Sequence, residues 1–130
     1  MSKENTFIKK NKIGFLATVD MNGQPKVRSF GVMEIQDNRL VFGTSNKKKV
    51  YEQLISNPCA EWLAVESTNK TLRVSGAVEF EEDYNKKLQY IESNPMIKKI
   101  YNSRLDEFEL FYLYNLEYEW FEMKIPTAKS

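Results

Sequence analysis

Residues Thr71–Phe80 alternate strictly: Leu72, Val74, Val78 and Phe80 fall on one side, Arg73, Ser75 and Glu79 on the other. A period of two belongs to a strand with one face in a core and the other toward water. A strand needs partners for its backbone groups, so this segment commits the chain to a sheet. Candidate partners flank it. Ile13–Val19 is apolar on both faces, with Phe15, Leu16, Ala17 and Val19. Asp20-Met21-Asn22-Gly23 follows, and Asn-Gly reaches positive φ cheaply, which marks a hairpin turn. Pro25–Ile35 reads as one strand, with Lys26, Arg28, Phe30 and Val32 on one face and Val27, Ser29, Gly31 and Met33 on the other. Gln36-Asp37-Asn38 then turns into Arg39–Thr44. Two hairpins in succession predict an antiparallel meander. Cys59–Glu66, Phe108–Leu113 and Leu116–Ile125 read as further strands. A shift of apolar parity along the last one predicts a bulge near Trp120, or else burial of both faces.

Short helices fill the remainder. Residues 3–11 form an N-terminal helix in this reading, and Asn46–Ser56 a second, capped by Ser45 or Asn46 and stopped at Asn57-Pro58. Asp83 caps a third, with Tyr84, Leu88 and Ile91 on one face, and Met96–Tyr101 makes a fourth. About six or seven strands with helices at the rim predict a mostly β fold, an antiparallel β-barrel, closed or nearly so. The apolar surplus on outward faces predicts a homodimer. The 130 residues suit a single domain, 1–130, with a frayed tail at Pro126–Ser130.

Composition narrows the chemistry. There is no histidine, which removes Ser-His-Asp and Cys-His nucleophiles and histidine-bound zinc or haem. The single cysteine, Cys59, permits no disulfide within the chain and is expected to be a small buried hydrophobe. With no signal peptide and no long apolar run, the expected location is the cytoplasm, away from membranes. Net charge is +1, so nucleic acid is not an expected partner. Any enzyme here needs a bound cofactor to carry its reaction.

One segment offers a site for such a ligand. Val41-Phe42-Gly43-Thr44-Ser45-Asn46-Lys47-Lys48-Lys49 reads as strand, small-residue turn and helix start. Free N–H groups and the helix dipole favour an anion there, while Lys47–Lys49 oppose the dipole unless an anion is shared between them. The same residues also read as a solvated basic turn. Arg28, in mid-strand, has the fork that suits phosphate, or else pairs with a glutamate.

In order and spacing, four blocks resemble the FMN-binding split-barrel family, the pyridoxamine 5′-phosphate oxidase-like proteins. They are Gly14–Asp20, Gly23–Phe30, Phe42–Tyr51 with Asn57-Pro58, and Thr71–Gly76. The resemblance runs from Ile8 to Met123. It implies a split β-barrel homodimer with FMN at the subunit interface, and an FMN-dependent oxidoreductase. Arg28 and Lys48 would hold the FMN phosphate, with Thr44 and Ser45 assisting and Lys49 the close alternative to Lys48. Val27, Ser29 and Phe30 would run beside the flavin ring. Arg73 would face it, from the other subunit or else pairing with Glu61 or Glu79, and Trp62 would lie near it. True pyridoxamine phosphate oxidases also carry a C-terminal Arg and His for their substrate, and this chain has no His. The alternatives are a non-catalytic FMN sensor, a deazaflavin-dependent reductase and a small nucleic-acid-binding barrel. The electron donor of an enzyme would be NAD(P)H.

Overall fold

The computed structural model describes residues 1–124. The expected tail, Pro126–Ser130, and Ile125 at the end of the expected last strand lie outside the described residues. In chain order the elements are α1 (Lys3–Lys10), β1 (Ile13–Val19), β2 (Pro25–Gly31), β3 (Glu34–Gln36), β4 (Arg39–Ser45), α2 (Lys49–Ser56), β5 (Cys59–Ser67), β6 (Lys70–Phe80), α3 (Tyr84–Ser93), α4 (Pro95–Ile100), a 3-10 turn (Leu105–Glu107) and β7 (Phe108–Glu122). The seven strands form one sheet in the order β2-β1-β5-β6-β7-β4-β3, each pair antiparallel. Among the described residues no helix is long and apolar enough to cross a membrane.

Both hairpins form, but the meander does not. The first turn is tied by Asp20 Oδ1, which accepts from the backbone N–H of Asn22 (2.8 Å) and Gln24 (2.9 Å), while Gly23 takes φ 80°. The expected single strand Pro25–Ile35 breaks at Val32-Met33. The Val32 N–H donates to the Lys12 carbonyl beside β1, and the Met33 N–H donates to the Val41 carbonyl on β4. β2 and β3 are therefore consecutive in the chain yet stand at opposite edges of the sheet. The two residues that join β2 to β3 hold the two edges of the sheet near one another, so the sheet curls.

β7 runs as one strand through the break expected at Tyr114-Asn115. The bulge lies there rather than near Trp120. The register steps from Ser75↔Glu117 to Ala77↔Tyr114, and Asn115 takes φ 54°. Asparagine tolerates that conformation better than most residues. Opposite it, a Cβ on Gly76 would sit 2.5 Å from the Tyr114 carbonyl oxygen, so only glycine fits. The extra residue flips parity: Phe111 and Leu113 point inward before it, Leu116 and Trp120 pack inward after it.

Inside the curl lie Leu16, Leu40, Phe42, Trp62, Leu72, Val74 and Phe111, closed off by Phe7 and Ile8 of α1 and Val50 and Leu54 of α2. A second cluster covers the outer side of β4 and β7, where Val41, Phe108, Leu110 and Tyr112 meet Ile91 and Tyr101 of the α3–α4 excursion. These helices absorb much of the surplus that the sequence offered to a partner. The outward side of β1 and β2 keeps the rest: Ile13, Phe15 and Val27 remain exposed.

Candidate functional site

The start of α2 differs from the expected Asn46 start in a way that shapes the site. Ser45 ends β4, and its hydroxyl accepts from the Lys47 N–H at 3.1 Å. Asn46 is spent elsewhere: its side-chain amide donates to the Asp106 carbonyl and to Glu109 Oε2. The helix begins at Lys49, and Lys48 stands in the N-cap position with no side-chain cap. The first N–H groups of α2 thus lack the acceptor that Ser, Thr, Asp or Asn would supply there.

Lys49 and Gln53 are one turn apart and share a side of α2. That side borders a groove of about 510 Å³ between α2 and the β1–β2 hairpin, to which Arg28, Val27 and Lys26 also contribute, with Asp20 and Glu52. Arg28 reaches back from the edge strand. Its Nη1 donates to the Leu16 carbonyl (3.1 Å) and the Thr18 hydroxyl (2.8 Å), and its Nη2 donates to Gln53 Oε1 (2.7 Å). The Thr18 hydroxyl in turn donates to the same Gln53 oxygen at 2.6 Å. Partial burial pulls the Arg28 guanidinium below its ordinary value, but an arginine stays charged at neutral pH even so. Arg28 takes no part in the ion pairs found among the described residues, where Asp20 instead lies 4.0 Å from Lys26. Near the end of β4, Thr44 is buried and its hydroxyl has no hydrogen-bond partner among the described residues. A fixed arginine, a lysine and an uncapped helix start are groups whose charge and free donors suit a compact anion.

The sequence matches the family described as pyridoxamine 5′-phosphate oxidase over residues 2–124. This chain belongs to that family. No curated protein matches it. Among solved structures, a nimC/nimA family protein from Clostridium acetobutylicum is 26% identical, with a TM-score of 0.79 over 95% of this chain and 86% of its own. An F420 reductase is 18% identical, with a TM-score of 0.71 over 92% of this chain and 98% of its own. A pyridoxamine 5′-phosphate oxidase-related, FMN-binding protein from Nostoc punctiforme is 16% identical, with a TM-score of 0.61 over 95% of each chain.

In this member of the pyridoxamine 5′-phosphate oxidase family, the expected site residues separate into three groups. Arg28, Lys49 and Val27 meet at the groove, whereas Thr44 and Ser45, buried at the end of β4, and the exposed Lys48 do not line it. Phe30 points inward against Phe42, and its carbonyl accepts from the Trp62 indole at 2.9 Å. Trp62 itself is fully buried, so it has no surface to offer a ligand. Ser29 and Arg73 lie on the outward side, in one register row that runs Ser29, Phe15, Leu63, Arg73, Glu119. Arg73 pairs with Glu119 rather than with Glu61 or Glu79, and Glu61 accepts from the Ser75 hydroxyl instead. One chain therefore does not bring Arg28 and Arg73 together. Cys59 is exposed, contrary to expectation, because β5 buries Ala60, Trp62 and Ala64 and position 59 faces the other way.

Gln53 and Thr18 were not singled out from the sequence. Their signal is a polar residue at an inward position: Gln53 follows Lys49 by four and neighbours Leu54, and Thr18 continues the inward row of Leu16.

Proposed function

We infer that this chain is an FMN-binding flavoprotein with oxidoreductase activity, and that the groove between α2 and the β1–β2 hairpin takes the FMN phosphate. The observation that carries this reading is Arg28, held in place beside Lys49 with no carboxylate to neutralise it. The uncapped start of α2 fits the same group, since a phosphate dianion accepts hydrogen bonds from free N–H donors. Arg28 and Lys49 bind and orient the phosphate. Lys48 adds charge at longer range, and Ser45 shapes the turn. The edge strand over Val27, Ser29 and Phe30 has β1 on one side only, and its free edge is available to the flavin ring. FMN, when bound, supplies hydride or electron transfer, with NAD(P)H as donor. The exposed Ile13, Phe15 and Val27 are the surface for a second copy of the chain, from which Arg73 would reach the ring. The expected location is the cytoplasm. A deazaflavin in place of FMN is the second reading, favoured by the fold shared with an F420 reductase.

The test is a visible spectrum. Purified protein mixed with FMN and desalted retains the flavin bands, while protein mixed with riboflavin does not. Protein that emerges colourless from FMN overturns the reading, and retention of the deazaflavin alone replaces it with the second.

A further inference from the structure

Arg28 is ordered by three acceptors, and all three are neutral: a carbonyl, a hydroxyl and a carboxamide. A carboxylate would hold a guanidinium more strongly, but the pair would then present no net charge to an incoming anion. Asp20 and Glu52 line the same groove, and neither forms an ion pair with Arg28. Of the three acceptors, the Gln53 amide is the side chain whose charge a single substitution can change without altering its shape.

Its position is not one a glutamine takes by default. Gln53 is only 7% exposed, on the buried stripe of α2 between Val50 and Leu54. A carboxamide there is costly unless hydrogen-bonded. Its oxygen meets that need twice over, at 2.6 Å from Thr18 and 2.7 Å from Arg28. Arginine can only donate, so the oxygen and not the nitrogen must face it. The Gln53 Nε2 is left without a protein acceptor among the described residues. It is not sealed in, because Asn5 Oδ1 and Thr44 Oγ1 are the enclosed, unpartnered side-chain atoms found there. Gln53 therefore holds the arginine with one end of its amide and has a donor for the groove at the other.

We propose that Gln53 sets the charge selectivity of the groove, positioning Arg28 without neutralising it and donating its free N–H to the bound anion. This rests on the groove being an anion site, and it deepens the phosphate reading above. Thr18, which donates to the same oxygen, is a second positioning residue.

Two substitutions separate charge from shape. Gln53→Glu keeps the size and the acceptor but adds a negative charge; Gln53→Met keeps the size and removes the acceptor. Dissociation constants for FMN and riboflavin come from flavin fluorescence, and thermal midpoints report folding. Inorganic phosphate is titrated in parallel, following the backbone amide signals of Lys49 and Val50, present in all three proteins, by NMR. Gln53→Glu is expected to lower FMN affinity about tenfold or more, to leave riboflavin affinity unchanged and to leave the thermal midpoint equal or higher. Gln53→Met is expected to lose about threefold to tenfold. Equal FMN-to-riboflavin ratios for Gln53→Glu and the parent overturn the proposal, as does an equal loss for both variants. A parent that ignores FMN but binds phosphate, with Gln53→Glu abolishing it, upholds the proposal and refutes the flavin reading. A parent that binds neither refutes both.

Discussion

Replacing Lys48 and Lys49 one at a time with alanine is the sharpest check on the groove. The two lysines are adjacent in sequence but not equivalent in space. Lys49 occupies the first helical position and borders the groove with Arg28, whereas Lys48 is the cap residue outside it. A charge-assisted hydrogen bond contributes about 1.5–3 kcal/mol. Lys49 is exposed, which brings the expectation to the lower end, about 1.5 kcal/mol, or roughly tenfold in the FMN dissociation constant. Lys48 acts only through space. At a separation of about 10 Å in water, a unit pair is worth about 0.4 kcal/mol, and physiological salt reduces that further. Lys48→Ala should therefore weaken FMN by less than about twofold. Quenching of FMN fluorescence on titration with protein measures both, with riboflavin as the control that carries no phosphate. Equal losses for the two variants, a larger loss for Lys48→Ala, or a parallel fall in riboflavin affinity would refute the assignment of Lys49.

Two further outcomes test the fold. A methyl group at Gly14 would sit 2.2 Å from the Leu63 carbonyl oxygen and 2.8 Å from the Trp62 ring, so Gly14→Ala must open the β1–β5 ladder. A loss of about 2–3 kcal/mol is expected, seen as a fall of roughly 6–15 °C in the thermal midpoint; an unchanged midpoint would contradict the packing. Burial and the hydrogen bond to Glu34 push the Tyr90 phenol up to about 12. Below about pH 10 both folded and unfolded chains keep that proton, and between there and about pH 12 only the folded chain does, so stability falls as pH rises through that window. Tyr90→Phe should flatten the fall, as measured by urea midpoints at roughly pH 9 and pH 11; an unaltered slope would show that Tyr90 does not titrate as its surroundings require.

Local pattern carried much of this fold. The alternation over Thr71–Phe80 is β6, and the Asn22-Gly23 turn is the first hairpin. What local pattern did not carry was the order of the strands. Nothing at Val32-Met33 reads as a break, because the alternation of Pro25–Ile35 continues through it and the change of partner is set by distant residues, Lys12 on one side and Val41 on the other. The parity shift shows in the sequence of β7 but the place of the bulge, mid-strand rather than near Trp120, does not, since Gly76, the residue that admits it, lies on the neighbouring strand. Arg28 and the turn at Thr44–Lys49 stand out in the sequence by residue type, and the structure brings Arg28 and Lys49 of these to one groove. Which of Lys48 and Lys49 borders the groove depends on where α2 begins. That is decided by Asn46 bonding to Asp106 and Glu109, some sixty residues away. Gln53 went unnoticed because a polar residue on a helix is read as solvent-facing until the packing of that helix is known.

The position of β7 between β6 and β4 bears on how the chain is made. During synthesis the N-terminal hairpins emerge first, and each can close locally. The β3–β4 hairpin cannot join the sheet, however, until the last strand has left the ribosome, because Arg39–Ser45 pairs with Phe108–Tyr114. Until then β4 carries apolar side chains on both faces and an unsatisfied backbone edge, the features that invite association with other chains. The nascent protein is thus most vulnerable just before its final strand arrives, and truncations within β7 should be far more damaging to solubility than their length would imply.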